Sequence, residues 1–296
     1  MVNAQCKTED LNIETADGYP LAVTRYLSVS DSPKTRVLVA SATGVPQRFY
    51  RHFANFLSKN EIECWTFDYR GIGLSRPSSL KGFEASMVTW ARVDLATVID
   101  NMLAQNSEKV SLVGHSFGGQ ALGLLPNAEA IESCIAFGSG AGWVGWMPLA
   151  ERVKVNFFWK VLGPYLCARS GYLNWSKFGL GEDLPLGVYQ QWKRWCQHRH
   201  YFFDDPDMSE LVASFSQIKI PIRAVNAIDD RWAPPNSRDA LMQGYANATV
   251  EKVNVLPGHY RQNRIGHLGY FAPKLEALWS ESIEWLLTHS QTKKNR

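Results

Sequence analysis

Short apolar runs alternate with helical patterns along most of this 296-residue chain, and no other feature narrows its fold as far. Apolar alternation around 11–13 and 21–26, broken by the turn Asp17-Gly18, predicts a β-hairpin. Buried-strand runs follow at 37–42, 62–67, 110–113, 131–137, 222–227 and 249–256. Helical spacing of apolar residues lies between them at 50–57, 87–104, 237–245 and 273–287. Strands that alternate with helices close most economically into a parallel sheet wrapped by helices on both faces. The expected fold class is therefore α/β, with a mostly parallel central sheet.

The alternation stops between residues 139 and 203. That segment holds six of the eleven tryptophans: Trp143, Trp146, Trp159, Trp175, Trp192 and Trp195. Tryptophan is costly to expose and favours cores and apolar pockets. An aromatic, helical insertion in an α/β chain predicts a cap over a site at the carboxyl ends of the strands. The expected organisation is a core of 1–138 and 204–296 with a cap of 139–203.

One strand carries chemistry. The run Val110 to Val113 leads straight into Gly114-His115-Ser116-Phe117-Gly118, followed by a small-residue helical pattern at Gly119, Ala121 and Leu122. Glycines two residues either side of a serine let a tight strand-to-helix turn lift the serine hydroxyl clear of the sheet. A serine hydroxyl is a weak nucleophile at neutral pH. It needs a histidine to take its proton and a carboxylate to fix the imidazole tautomer. Ser116 is the candidate nucleophile, and its acid and histidine are to be sought among the residues that follow it.

Here the chain resembles the α/β-hydrolase superfamily, over nearly its whole length outside the Trp-rich segment. Thr43-Gly44-Val45-Pro46 is similar to the superfamily's H-G-x-P loop, and Asp68-x-Arg70-Gly71-x-Gly73-x-Ser75 to its D-x-R-G-x-G-x-S turn. Asp230-Arg231-Trp232-Ala233-Pro234 is similar to the stretch that carries the acid. The resemblance implies catalytic residues in the order serine, acid, histidine, which Ser116, Asp230 and His267 follow, and a base just before the final helix, which favours His267 over its rival His259. The D-x-x-x-P spacing favours Asp230 over its neighbour Asp229, which is left to cap a loop or face water. His115 is expected to point away from the serine's partners, and Asp68, Arg70 and Ser75 to hold the scaffold. For the oxyanion the resemblance points to the backbone amides of Phe117 and Val45. Thr43 replaces the usual histidine, which leaves Thr43 and Gly44 open as alternatives to Val45. The segment 183–196, with Thr43-Gly44-Val45-Pro46 and Ile265-Gly266-His267, looks like a subgroup of predicted bacterial α/β-hydrolases within a serine aminopeptidase and esterase-like branch.

The implied activity is a serine hydrolase, cleaving an ester or thioester of a small to medium apolar acyl compound through an acyl-enzyme. A ligand-binding protein on the same fold and an amidase or peptidase are the alternatives. Dehalogenase and epoxide-hydrolase branches carry aspartate where Ser116 stands. No dinucleotide fingerprint, P-loop or metal-ligand spacing is present, so no cofactor and no metal are expected. Five cysteines without a C-x-x-C spacing, and a first twenty residues without an apolar run, predict a reducing, cytoplasmic setting.

The charge divides unevenly. The net charge of +3 equals the contribution of Lys293, Lys294 and Arg296, so no nucleic-acid partner is expected. Within 139–203 eight basic residues face three acidic ones, Glu151, Glu182 and Asp183. Peripheral contact of a basic cap with an anionic lipid surface is one reading of that charge, and solvated helix faces are the other. No integral membrane segment is expected, because the longest apolar stretch, 155–168, is short and contains Lys160. Oligomeric state is left open.

Overall fold

A computed structural model describes residues 7–179 and 181–290. Cys6 and the basic residues Lys293, Lys294 and Arg296 lie outside the described residues. Eight strands form one sheet: β1 (Thr8–Glu14), β2 (Pro20–Tyr26), β3 (Thr35–Ala40), β4 (Ile62–Phe67), β5 (Val110–His115), β6 (Ile131–Phe137), β7 (Pro221–Ala227) and β8 (Thr249–Val255). Their order across the sheet is β1-β2-β4-β3-β5-β6-β7-β8. Only β2 runs against the rest, paired antiparallel to β1 through the expected hairpin and antiparallel to β4.

The helices that frame the sheet and the site are α1 (Arg51–Lys59), α2 (87–105, with a π segment Trp90–Leu95), α3 (Phe117–Gln120), α4 (149–170, with a π segment Phe158–Leu162), α5 (Leu186–Trp195), α6 (Pro235–Met242) and α7 (Glu276–Ser290). Alternate residues of β3 serve opposite layers, as the pleat requires. Val37 and Val39 pack with Phe53 and Leu57 of α1 and with Leu278, Trp279 and Ile283 of α7. Leu38 and Ala40 belong to the other layer, with Trp90, Leu95 and Ile99 of α2. That second layer continues without a break into Trp159, Trp175, Trp195, Tyr201 and Phe202, so the Trp-rich segment shares its core with the sheet.

Strand order reverses between β3 and β5, because the chain moves outward from β3 to β4 on one side and to β5 and β6 on the other. In open α/β sheets the crevice beyond the carboxyl ends at such a reversal is where ligands bind. The Trp-rich segment lies over those ends. A β-carbon added at Gly44, after β3, would meet Leu184 and Trp175, and one at Gly71, after β4, would meet Pro185. All three acids of 139–203 face arginines of the scaffold: Glu182 with Arg48 at 2.8 Å, Asp183 with Arg76 at 3.0 Å and Glu151 with Arg231 at 3.9 Å.

The Asp68–Ser75 turn is a buried knot. Asp68 accepts from the Gln47 and Leu74 amides, and the Ser75 hydroxyl donates to the Asp68 carbonyl. Arg70 bonds Asp94 at 2.7 Å and Asp17 at 2.6 Å rather than Asp68. Burial raises Asp94 to about 6 despite the guanidinium beside it.

Among the described residues no helix is long and apolar enough to cross a membrane, and none of the four described cysteines forms a disulfide.

Candidate active site

Ser116 sits where β5 turns into α3 with φ +52° and ψ −112°, a conformation unfavourable for a residue with a side chain. Three close approaches hold it there. The Ser116 amide donates to the Phe137 carbonyl of β6 at 2.9 Å. A β-carbon on Gly118 would come 2.0 Å from the Ala40 carbonyl oxygen of β3. A β-carbon on Gly114 would meet the Gly119 backbone at 2.3 Å. The flanking glycines therefore do what their spacing predicts: they let strand and helix cross where any side chain would collide.

The His267 ring bridges two groups. Its Nε2 lies 3.0 Å from Ser116 Oγ, and its Nδ1 lies 2.9 Å and 3.1 Å from the two carboxylate oxygens of Asp230. Asp230 is buried, with its side chain fully enclosed, whereas the His267 side chain keeps 19% of its surface exposed. Burial opposes the Asp230 charge, but His267, the Ala233 amide and the Tyr270 hydroxyl outweigh it and hold the carboxyl below its ordinary range. The Trp232 amide also donates to Asp230, and the Tyr270 hydroxyl donates to Asp230 Oδ2 at 2.9 Å.

The adjacent Asp229 turns the other way and accepts from the amides of Ile265 and Gly266 at 3.0 and 3.1 Å. One aspartate thus holds the backbone of the histidine loop and the next holds its ring. His259 is exposed on the short helix Pro257–Tyr260, and nothing brings it to Ser116.

His115 is fully buried. Its Nδ1 lies 2.9 Å from the Tyr50 hydroxyl and its Nε2 lies 2.8 Å from the His267 carbonyl oxygen. Burial, with the nearby His267 ring, lowers its pKa to about 3, so the ring is neutral. Sequence reasoning placed this side chain away from the serine but found neither partner, because Tyr50 and His267 reach it only through the fold.

The two amides expected to face an oxyanion, those of Phe117 and Val45, stand in different settings. Phe117 is the first residue of α3, and its amide has no acceptor within the helix. The Val45 amide instead donates to the Ala42 carbonyl at 3.1 Å and closes a turn in which Gly44 has φ +71°. With its φ positive at Gly44 the turn has the shape of a type II turn, whose fourth residue donates back to the first. Among the described residues the Thr43 and Gly44 amides have no such acceptor.

A row of aromatic rings leads from His267 into the core of the Trp-rich segment. Trp232 lies 6.3 Å from the His267 ring, Trp192 5.9 Å from Trp232, and Trp159 5.0 Å from Trp192. Trp175 joins the same group at 6.1 Å from Trp192. On the acid's far side a cleft of about 470 Å³ opens between Trp146 and Pro148 of the Trp-rich segment and Asp229, Asp230, Arg231 and Arg264. Ser116 does not line it. Among the described residues no cluster of histidine, cysteine and carboxylate side chains could hold a metal ion.

Residues 37–273 match the family described as the alpha/beta hydrolase family. No curated protein sequence matches the chain. Among solved structures it is similar to a soluble variant of monoglyceride lipase from Saccharomyces cerevisiae, with 14% identity, 99% of this chain and 98% of that one covered, and a TM-score of 0.69. It is similar to DcsB, solved with its substrate analogue, at 15% identity over 96% of this chain and 100% of that one, with a TM-score of 0.67. An esterase domain of a Rhodothermus marinus protein shares 15% identity over 96% and 99%, with a TM-score of 0.59. At such identities the likeness is one of fold.

Proposed function

The chain belongs to the alpha/beta hydrolase family, and from that premise we propose that it is a serine hydrolase cleaving a carboxylic ester or thioester through an acyl-enzyme. The observation that carries the reading is the two-sided engagement of the His267 ring, 3.0 Å from the Ser116 hydroxyl on one side and 2.9 Å from a buried carboxylate on the other.

In this reading Ser116 Oγ attacks the substrate carbonyl carbon while His267 Nε2 takes its proton. Asp230 accepts a hydrogen bond from His267 Nδ1–H, keeps Nε2 free to act as base, and offsets the charge of the imidazolium. The carbonyl oxygen becomes an oxyanion facing the Phe117 amide and the turn at residues 43–45. There either the Thr43 or Gly44 amide serves, or that of Val45 shares its bond to Ala42. Collapse breaks the bond to the leaving oxygen or sulfur, which receives the proton from His267. Water, deprotonated by the same nitrogen, then releases the acid and restores the serine.

We read residues 139–203 as a cap on a core formed by 1–138 and 204–296. The half-buried Trp192 and Trp232 rings near His267 would meet a small to medium apolar acyl group. The esterases and the monoglyceride lipase that share the fold are named for the same bond class.

The test is labelling and turnover together. Wild-type protein should react with a fluorophosphonate at Ser116 and hydrolyse short p-nitrophenyl esters, and Ser116→Ala should do neither. A Ser116→Ala protein as active as wild type would overturn the reading. A folded wild-type protein inert to the probe would favour the ligand-binding alternative.

A further inference from the structure

Five large apolar side chains stand exposed on helix α4 at every fourth position: Leu149, Val153, Phe157, Val161 and Tyr165. Each keeps between 52% and 76% of its surface in contact with solvent. The opposite face of the same helix buries Val155, Trp159, Leu166 and Cys167. A four-residue step on an α-helix advances the side chain by about 40° beyond a full turn, so a long row at that spacing would wind around the helix. The π segment Phe158–Leu162 has a wider turn, which sets the later residues back and keeps Val161 and Tyr165 on the same side as Leu149 and Val153. A contiguous exposed apolar row of this kind marks an interaction surface, whereas scattered apolar residues need no explanation.

Charge identifies the partner. Arg152, Lys154, Lys160 and Arg169 are exposed on the same helix, and Lys177 stands beside the exposed Phe178. None of the five forms an ion pair among the described residues. Each acid of the cap instead faces a scaffold arginine, which leaves the outward side uncompensated. Two copies of this helix packed about a twofold axis would set these cations against one another. An anionic lipid surface accepts both features, since apolar side chains enter the acyl boundary while lysine and arginine meet the phosphates.

We propose that the outer face of α4 docks the protein on an anionic lipid surface through Leu149, Val153, Phe157, Val161 and Tyr165 and the basic residues around them. The proposal goes beyond the hydrolase reading and does not depend on it. It also has a consequence for access. The inner face of α4 carries Trp159, which begins the aromatic row leading through Trp192 and Trp232 to His267, so one helix carries both the docked face and the start of that row.

The test is flotation of the full chain with vesicles of phosphatidylcholine alone and of phosphatidylcholine mixed with phosphatidylserine. Wild-type protein should partition to the mixed vesicles and leave them as salt rises. Val153→Asp with Phe157→Asp should lower partition at least tenfold, and each of Lys154→Glu and Lys160→Glu about fivefold or more, while hydrolysis of a soluble p-nitrophenyl ester stays at the wild-type rate. Absence of wild-type binding to the mixed vesicles would overturn the proposal. So would a wild-type dimer that the double aspartate variant dissolves without any vesicle binding, which would assign the row to a second copy.

Discussion

His115 Nε2 lies 2.8 Å from the carbonyl oxygen of His267, so the strand that carries the candidate nucleophile also holds the loop that carries its base. A carbonyl oxygen only accepts, which places the His115 proton on Nε2 and leaves Nδ1 to accept from the Tyr50 hydroxyl. The Tyr50 oxygen in turn accepts from the Ala42 amide, at the start of the turn expected to face the oxyanion. One buried row of bonds, with every donor matched to an acceptor, thus runs from that turn to the base loop.

His115→Ala removes the Nε2 donor to the His267 carbonyl and breaks the row. We expect kcat toward a soluble ester to fall by about tenfold or more, with a smaller change in KM, because the loss is one of ring placement. Tyr50→Phe, which keeps His115 but leaves the Ala42 amide without its acceptor, should fall between the variant and wild type. Equal loss in KM, or none in kcat, would show His115 to be a packing residue only.

The same histidine makes a pH prediction. Its folded pKa of about 3 lies below the ordinary histidine value of 6.5, so the unfolded chain binds a proton there that the folded chain refuses. The stability it contributes is present above pH 6.5 and is lost as pH falls toward 3, with a slope approaching about 1.4 kcal/mol per pH unit for one proton. Urea unfolding across that range should show a shallower acid dependence for His115→Gln than for wild type.

Asp230 and Asp229 should separate cleanly. Asp230→Asn keeps the shape but removes the charge against His267 Nδ1, and kcat should drop roughly a thousandfold or more with little change in fold. Asp229→Asn weakens two bonds to loop amides and should lower Tm and kcat modestly. A reversal of these effects would move the acid to Asp229.

Tyr270→Phe takes a hydroxyl from Asp230 and leaves the Ala227 amide, now bonded to it at 2.8 Å, without an acceptor. A loss of about 1–3 kcal/mol in unfolding free energy is expected, since an unsatisfied buried donor costs its full desolvation.

Gly118→Ala would drive a methyl group into the Ala40 carbonyl. We expect little soluble protein, whereas Gly82→Ala, with open space around its β-carbon though at positive φ, should be far milder.

How much of this was legible beforehand depends on the range of the interaction. Strand and helix positions follow from patterns within a few residues, and the expected boundaries lie close to those observed. The clearest departures are the two π segments, which a 3.6-residue period cannot express. The motif around Ser116 is also local, because the glycines answer to a turn a few residues long. Tyr50 and Tyr270 carry no motif: one ends the 3-10 turn Gln47–Tyr50 that leads into α1, the other lies three residues after His267, and only the packing of α1, β5 and the base loop makes them partners. The bond from the Val45 amide to the Ala42 carbonyl likewise carries no signal in the H-G-x-P resemblance, since it depends on the conformation the turn adopts after β3.

The alternation of strands and helices, the Ser116 elbow and the basic, aromatic character of residues 139–203 were determined by the sequence alone, because periodicity, glycine sterics and composition act over short distances along the chain. Which polar groups meet across the buried row from Ala42 to His267, and which side of α4 is left to solvent, were decided only by the tertiary structure. Hydrogen-bond partners and exposed faces depend on which segments are brought together, and that information resides in the packed sheet rather than in any single stretch of residues.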